Sequence, residues 1–174
     1  FRDMLIFDEV RGFDSTGSAV VGMAPGAKPV VEKAVGTPNN LWEYGDSKLL
    51  DLKGVLKACP KEVIGHNRAA TTGSVTVENA HPFEFGHIVG VHNGSLTYYD
   101  DLEGAKEHDV DSKAIYDTIS QKGIDHTWKS FYGAAALVWW DSKDETLNII
   151  RNSQRPLHVA QSESGDAIFW ASEM

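Results

Sequence analysis

Four short polar clusters contain the residues of this chain whose types and spacing could support chemistry. Each cluster follows or interrupts an apolar run, which is where strands and helices end and side chains from separate segments can meet. The clusters are Arg11–Ser15 (RGFDS), His66–Gly73 (HNRAATTG), Asn79–Phe83 (NAHPF) and His92–Gly94 (HNG), and Asp111 stands ahead of a predicted helix. We expect these clusters to meet in one site.

Together the clusters contain the groups needed to bind an amino acid and to stabilise attack on an amide. Arg68 offers a rigid fork of N–H donors for a carboxylate, and Asp111 offers an anionic partner for an ammonium group. The side-chain amide of Asn93 stands beside the backbone N–H of Gly94, and two such donors can hold an oxyanion. No nucleophile is evident among these residues.

The elements that must position these clusters are short strands toward both ends of the chain with helices between them. Apolar spacing predicts helices over 1–10, 47–58 and 112–120. Strands are predicted over 18–23, 30–35, 63–67, 87–92, 133–140, 147–151, 157–160 and 167–171. The first two strands are expected to form a hairpin and the last four an antiparallel meander, so the order of elements predicts an α+β layered fold.

The composition predicts one soluble domain and disfavours several classes of protein. The chain has 174 residues, with 16 Lys and Arg against 25 Asp and Glu, a net charge of −9. No basic run could neutralise nucleic-acid phosphates, and the longest apolar stretch, 133–140, is too short to span a bilayer. Cys59 is the single cysteine, so no internal disulfide can form, and we expect a cytoplasmic protein.

In order and approximate spacing, these motifs resemble the glutaminase domain of class II glutamine amidotransferases, N-terminal nucleophile enzymes. The chain is most similar to the domain that supplies ammonia to glucosamine-6-phosphate synthase. Arg11–Gly17 resembles the family's Arg-Gly-Tyr-Asp-Ser-x-Gly, and His66–Gly73 resembles its His-x-Arg-aromatic-Ala-Thr-x-Gly. Asn79–Pro82 and Val91–Gly94 match almost letter for letter. The resemblance implies a four-layer αββα sandwich, in which two antiparallel sheets lie between helical layers.

The resemblance also implies a reaction and a role for each site residue. The reaction is hydrolysis of L-glutamine to glutamate and ammonia, with transfer of the ammonia to an acceptor in a synthase domain or subunit. Neither a metal nor an organic cofactor is implied. The implied roles are oxyanion binding for Asn93 and Gly94, substrate binding for Arg68, Thr71, Thr72, His81 and Asp111, and structural support for Arg11 and Asp14.

The family's nucleophile is an N-terminal cysteine, whereas residue 1 of this sequence is phenylalanine. Family members open with Cys-Gly-Ile at the start of their first strand, and the α-amino group helps to activate the thiol. Here the sequence begins at Phe1, near the end of the helix that follows that strand. We therefore expect residues 1–174 to form a single glutaminase-like domain that lacks its N-terminal strand and its C-terminal end.

Two residues depart from the family pattern near the substrate. Ala69 stands where an aromatic residue usually follows the arginine, and Thr72 stands where the synthase-like members have histidine. The walls of the glutamine pocket are therefore expected to differ from those of the synthase-like members.

Four alternatives remain open at the level of sequence. The domain could be a catalytically inactive glutaminase-like binding or scaffold module. His66, His81, His92 and Asp111 are residue types that bind metal ions in hydrolases, although their spacing matches no standard helix-borne pair. Asn93–Gly94 is also the commonest dipeptide of tight hairpin turns. Asp111 could simply cap the helix that follows it.

Overall fold

The computed structural model describes residues 1–22, 24, 26–43 and 60–173. Its helices are α1 (Arg2–Phe7), a 3₁₀ helix (Asp8–Arg11), α2 (Pro38–Glu43), α3 (Asp111–Lys122) and α4 (Ile124–Thr127). Its strands are β1 (Ser15–Val21), β2 (Val30–Val35), β3 (Glu62–Arg68), β4 (Phe83–Phe85), β5 (Ile88–Tyr98), β6 (Tyr132–Asp141), β7 (Thr146–Arg151), β8 (His158–Gln161) and β9 (Ile168–Ala171). The helix predicted over 47–58 and the cysteine Cys59 lie outside the described residues.

The strands form antiparallel sheets. One sheet has three strands in the order β2-β1-β3, and a second has four in the order β4-β5-β6-β7. The predicted hairpin of β1 and β2 is confirmed. The predicted closing meander divides into two parts, because β6 pairs with β7 while β8 and β9 form a separate two-stranded sheet.

Alternating side chains of the central strands serve two different cores. Val91 of β5 packs with Val138 of β6 against Ile64 of β3, which fills the space between the two sheets. The intervening positions, including Ile88 and Leu137, point the other way and pack against Ile115 and other residues of α3. This period of two is what a strand buried on both faces requires.

The helices cover the outer faces of the two main sheets. The α3 helix packs on β4 and β5, while α2 contacts β1 and β2, and α1 contacts β3. Helix, sheet, sheet and helix therefore form four layers, which confirms the αββα architecture that the sequence predicted. Among the described helices, none is long and apolar enough to cross a membrane.

The first helix differs from its prediction in what it buries. The α-helix ends at Phe7 and a 3₁₀ helix continues to Arg11, so the helical segment ends before Gly12 as predicted. Leu5 is buried, but Phe7 and Val10 are 81% and 88% exposed. The helix is held by Asn67, whose side-chain Nδ2 donates to the Leu5 carbonyl at 2.7 Å and whose Oδ1 accepts from the Thr16 hydroxyl at 2.6 Å. One buried amide therefore joins α1 to two strands of the sheet beneath it.

Candidate active site

Asn93 and Gly94 lie in the middle of β5. Asn93 pairs with Ala136 and Gly94 with Ala135 of β6, and β5 continues to Tyr98. The predicted end of this strand at residue 92 is therefore wrong, and so is the alternative that Asn93–Gly94 forms a hairpin turn. Pairing with the small residues of β6 keeps the dipeptide extended, because the strands can approach closely there.

The position of Gly94 leaves no space for a side chain. A Cβ built on Gly94 would lie 1.9 Å from the Ala134 carbonyl oxygen and 2.5 Å from Nε2 of His92. The neighbouring Asn93 is half-buried, and its side-chain amide forms no hydrogen bond with another described residue. Asn93 thus provides donors that a ligand can use.

Arg68 is the last residue of β3 and is only 5% exposed. Its guanidinium donates to the carbonyl oxygens of Thr72 and Ser74, which shapes the loop after the strand. Burial lowers the pKa of Arg68, and the negative charges of Asp14 and Asp111 oppose that shift. A guanidinium has five N–H donors, so donors remain for a ligand carboxylate.

Asp111 is the first residue of α3 and is 6% exposed. Its Oδ1 accepts from the backbone N–H of Ser112 at 2.8 Å, and its Oδ2 accepts from the backbone N–H of Leu96 in β5 at 2.9 Å. The helix-capping alternative is therefore met only in part: Asp111 satisfies one N–H of the first turn, while the N-cap position belongs to Val110. The Ser112 hydroxyl also lies 3.3 Å from Oδ1, so the accepting capacity left for an ammonium group is mainly that of Oδ2.

Three histidine rings line the same cavity; His81 and His92 are buried and His66 is half-buried. His66 and His81 have ring centroids 4.1 Å apart, and Nε2 of His66 donates to the carbonyl oxygen of His92 at 3.1 Å. Burial lowers the pKa of His66 to about 3 and that of His81 well below its ordinary value, so both rings are neutral near pH 7. Both ring nitrogens of His81 are buried without a partner among the described residues.

The histidines do not form a metal centre with Asp111. Within residues 1–22, 24, 26–43 and 60–173, no three His, Cys, Asp or Glu side chains are arranged to hold a metal ion. Asp111 instead uses its oxygens on backbone N–H groups, and His66 uses Nε2 on a carbonyl. The geometry of these residues therefore does not favour the metal-hydrolase alternative.

The two predicted supporting residues have different surroundings. Oδ2 of Asp14 accepts from the backbone N–H of Ala70 at 2.8 Å, and the Asp14 backbone N–H donates to the carbonyl of Arg68 at 3.1 Å. Asp14 therefore braces the loop that carries Arg68. The Arg11 side chain forms an exposed ion pair with Glu173, and within the described residues it donates no hydrogen bond to another predicted site residue.

A cavity of about 1190 Å³ brings most of the predicted residues together. Thr71 and Thr72 are exposed at its wall, and the carbonyl of Thr72 is already used by Arg68. The cavity is lined by Arg11, Arg68, Thr71, Thr72, His81, Asn93, Gly94 and Asp111 among the predicted residues, whereas Asp14 lies outside the lining. His66, His92 and Ser112 also line it. The two histidines belong to the polar clusters and Ser112 begins the predicted helix over 112–120, but the contacts of all three side chains depend on tertiary packing.

Comparisons with known proteins agree with this fold and these motifs. A family model described as a glutamine amidotransferase domain matches residues 66–174. Glutamine–fructose-6-phosphate aminotransferase [isomerizing] from Staphylococcus epidermidis is 30% identical over 177 residues, which cover 92% of this chain and 28% of that protein. The Lactococcus lactis subsp. lactis protein of the same name is 28% identical, with 89% and 27% covered. The chain thus spans less than a third of these relatives.

A solved structure has the same fold. It is the glutamine phosphoribosylpyrophosphate amidotransferase from B. subtilis complexed with ADP and GMP, with a TM-score of 0.68 and 20% sequence identity. The match covers 98% of this chain and 38% of that one.

Proposed function

Since the chain belongs to the class II glutamine amidotransferase family, we propose that its cavity binds L-glutamine and hydrolyses the side-chain amide to glutamate and ammonia. The family provides the class of reaction. The assignment of individual residues rests on the charges and donors that line the cavity.

The observation that carries this assignment is a pair of buried, opposite charges facing one cavity. Arg68 and Asp111 are 5% and 6% exposed, and neither forms an ion pair with another described residue. The charges of Asp14 and Asp111 act on Arg68 at longer range, but a buried charge without a close counter-ion is costly. The zwitterionic end of an α-amino acid offers a close partner to each group, with the carboxylate for Arg68 and the ammonium group for Asp111.

The opposite end of glutamine reaches Asn93 and Gly94 in this proposal. A cysteine thiolate attacks the carboxamide carbon, and the Asn93 amide and the Gly94 N–H stabilise the negative charge that develops on the oxygen. The C–N bond then breaks, ammonia leaves with an added proton, and a thioester remains. Water attacks the thioester, which releases glutamate and regenerates the thiol. Thr71, Thr72 and His81 complete the wall around the substrate.

The nucleophile of this proposal is the N-terminal cysteine that is typical of the family. The arrangement of strands leaves a place for a further strand, because β3 is an edge strand and pairs only with β1 among the described strands. Residues of β3 and β9 line the same cavity. An extended segment beside β3 can therefore pair with its free backbone groups and bring a thiol to the oxyanion donors.

The ammonia is proposed to pass to an acceptor bound by a synthase domain or subunit. The relatives named aminotransferase are more than three times as long as the matched region, which leaves room in them for such a unit. No metal or organic cofactor enters the proposed chemistry. A cytoplasmic location remains our expectation, from the single cysteine of the chain.

The test uses the full-length polypeptide with glutamine and with an electrophilic glutamine analogue. We expect release of glutamate and ammonia in equal amounts, and one addition of the analogue at an N-terminal cysteine, located by peptide mass spectrometry. Glutamine should protect that cysteine from labelling. Binding of glutamine without hydrolysis or labelling would instead identify the inactive binding module and contradict the proposal.

A further inference from the structure

The segment that contains Asn93 and Gly94 is tied at both of its ends to the start of α3. After the dipeptide, the backbone N–H of Leu96 donates to Oδ2 of Asp111 at 2.9 Å. Before it, Nδ1 of His92 lies 2.9 Å from the hydroxyl of Ser112, the residue next to Asp111. The oxyanion donors and the acidic side chain are therefore connected through two separate contacts.

The second contact of the His92 ring shows which atom donates in the hydrogen bond between His92 and Ser112. Nε2 of His92 lies 3.4 Å from the carbonyl oxygen of Ala134, which can only accept, so Nε2 carries the proton. The ring is 3% exposed, and burial lowers its pKa although Asp111 acts in the opposite direction. A neutral ring protonated at Nε2 has a free lone pair at Nδ1, which accepts from the Ser112 hydroxyl at 2.9 Å. The other acceptor near that hydroxyl, Oδ1 of Asp111, lies farther away at 3.3 Å.

Ser112 also contacts the carboxylate of Asp111. The backbone N–H of Ser112 donates to Oδ1 of Asp111 at 2.8 Å, and Ser112 is 4% exposed. The ring of His92 also abuts Gly94, since a Cβ at that position would lie 2.5 Å from Nε2. One imidazole therefore contacts the oxyanion strand on one side and the residue that orients Asp111 on the other.

We propose that His92 and Ser112 are positioning residues that fix the distance between Asp111 and the Asn93–Gly94 donors, and thereby select glutamine over the shorter asparagine. This inference rests on the proposed function. With the ammonium group held at Asp111, the carboxamide of asparagine is one methylene short of the oxyanion donors. The two ties between β5 and α3 prevent the site from contracting to meet it.

The experiment compares kcat/KM for L-glutamine and L-asparagine in full-length variants. Single-methylene discrimination is worth roughly 10-fold to 200-fold, so the parent should prefer glutamine by at least about tenfold. Ser112→Ala removes one hydrogen bond and should reduce that preference by about twofold to tenfold. Ser112→Thr keeps a hydroxyl and should restore the preference. Ser120→Ala is the matched control, because the Ser120 hydroxyl donates to the Asp117 carbonyl on the same helix.

A second variant tests the same contact from its other side. His92→Gln removes the ring and should shift the glutamine-to-asparagine ratio in the same direction as Ser112→Ala. If the folded variants keep the parent's ratio of kcat/KM for glutamine to kcat/KM for asparagine, the proposal is overturned. An equal loss of activity toward both substrates also leaves that ratio unchanged, and it would indicate a merely structural role.

The two proposals can fail separately. If the parent hydrolyses neither amino acid, the proposed function is wrong. The positioning role of His92 and Ser112 is then tested by calorimetry on the same variants, which gives the ratio of the dissociation constants for glutamine and asparagine. A ratio that Ser112→Ala lowers and Ser112→Thr restores still supports the distance selection. An unchanged ratio, or no binding of either amino acid, overturns it.

Discussion

Replacing Asn93 by alanine should remove catalysis and leave the protein folded. The Asn93 amide is half-buried and forms no hydrogen bond with another described residue, so its loss breaks no hydrogen bond there. Alanine is less disfavoured in strands than asparagine, so the replacement adds no cost from strand preference. The free energy of unfolding should therefore change little.

The effect on turnover is expected to be much larger. If the amide donates to the oxygen only as negative charge develops there, its loss raises the barrier without changing the affinity for glutamine. Loss of one such donor lowers the rate roughly 100-fold to 1,000-fold, or about 2.7 to 4 kcal/mol. Asn93→Asp is nearly isosteric and places a negative charge against the oxyanion, so it should be at least as inactive.

The assay measures the single-turnover rate of glutamine hydrolysis and the urea midpoint on the same full-length samples. Asn67→Ala is the matched control, because the Asn67 side chain, unlike that of Asn93, forms two internal hydrogen bonds: one with the Thr16 hydroxyl and one with the Leu5 carbonyl. It should lose about 1 to 3 kcal/mol of stability for each buried group left unpaired, and keep its activity per folded molecule. Near-parental turnover by folded Asn93→Ala would remove Asn93 from the mechanism.

Three further predictions concern the groups around Asn93. Arg68→Ala should lower kcat/KM by roughly 30-fold to 1,000-fold through loss of a charged hydrogen bond to the substrate. It should also lower the melting temperature, because the carbonyl of Thr72 loses its donor. Unchanged steady-state kinetics would show that the substrate carboxylate does not bind to Arg68. Gly94→Ala should destabilise the fold by about 3 kcal/mol or more, because its Cβ would lie 1.9 Å from the Ala134 oxygen; parental unfolding in urea would contradict the close approach of β5 and β6. Burial lowers the pKa of His66 from 6.5 to about 3. Between these pH values the His66 side chain binds a proton in the unfolded chain but not in the folded chain, so the free energy of unfolding falls as the pH falls from 6.5 to about 3. His66→Gln should make that decline shallower by up to about 1.4 kcal/mol per pH unit, and parallel curves from urea unfolding at several pH values would exclude a neutral His66.

Sequence reasoning was most successful for the site residues that lie at the ends of strands and helices. Arg68 is the last residue of β3 and Asp111 the first of α3, and both boundaries follow from local changes in apolar spacing. Their charge types then indicate an amino-acid ligand without knowledge of the packing. The four layers could likewise be expected, once the order of motifs indicated the family.

Features that depend on contacts between distant segments were beyond sequence reasoning. Asn93–Gly94 has the local signature of a turn, and only pairing with Ala135 and Ala136 keeps it inside a strand. The contact between His92 and Ser112 joins residues of two elements, and no periodicity reveals it. The same holds for His81, since sequence alone cannot show that its buried ring nitrogens lack partners.

The alternation of side chains along β5 has a consequence for how this strand can evolve. Residues such as Val91 contact the facing sheet, while Gly90 lies against α3, where a Cβ would come within 2.3 Å of the Tyr116 ring. Substitutions at neighbouring positions of β5 must therefore be compensated in different parts of the chain. An alignment of homologues should resolve β5 into two interleaved sets, one covarying with β1 and β3 and the other with α3.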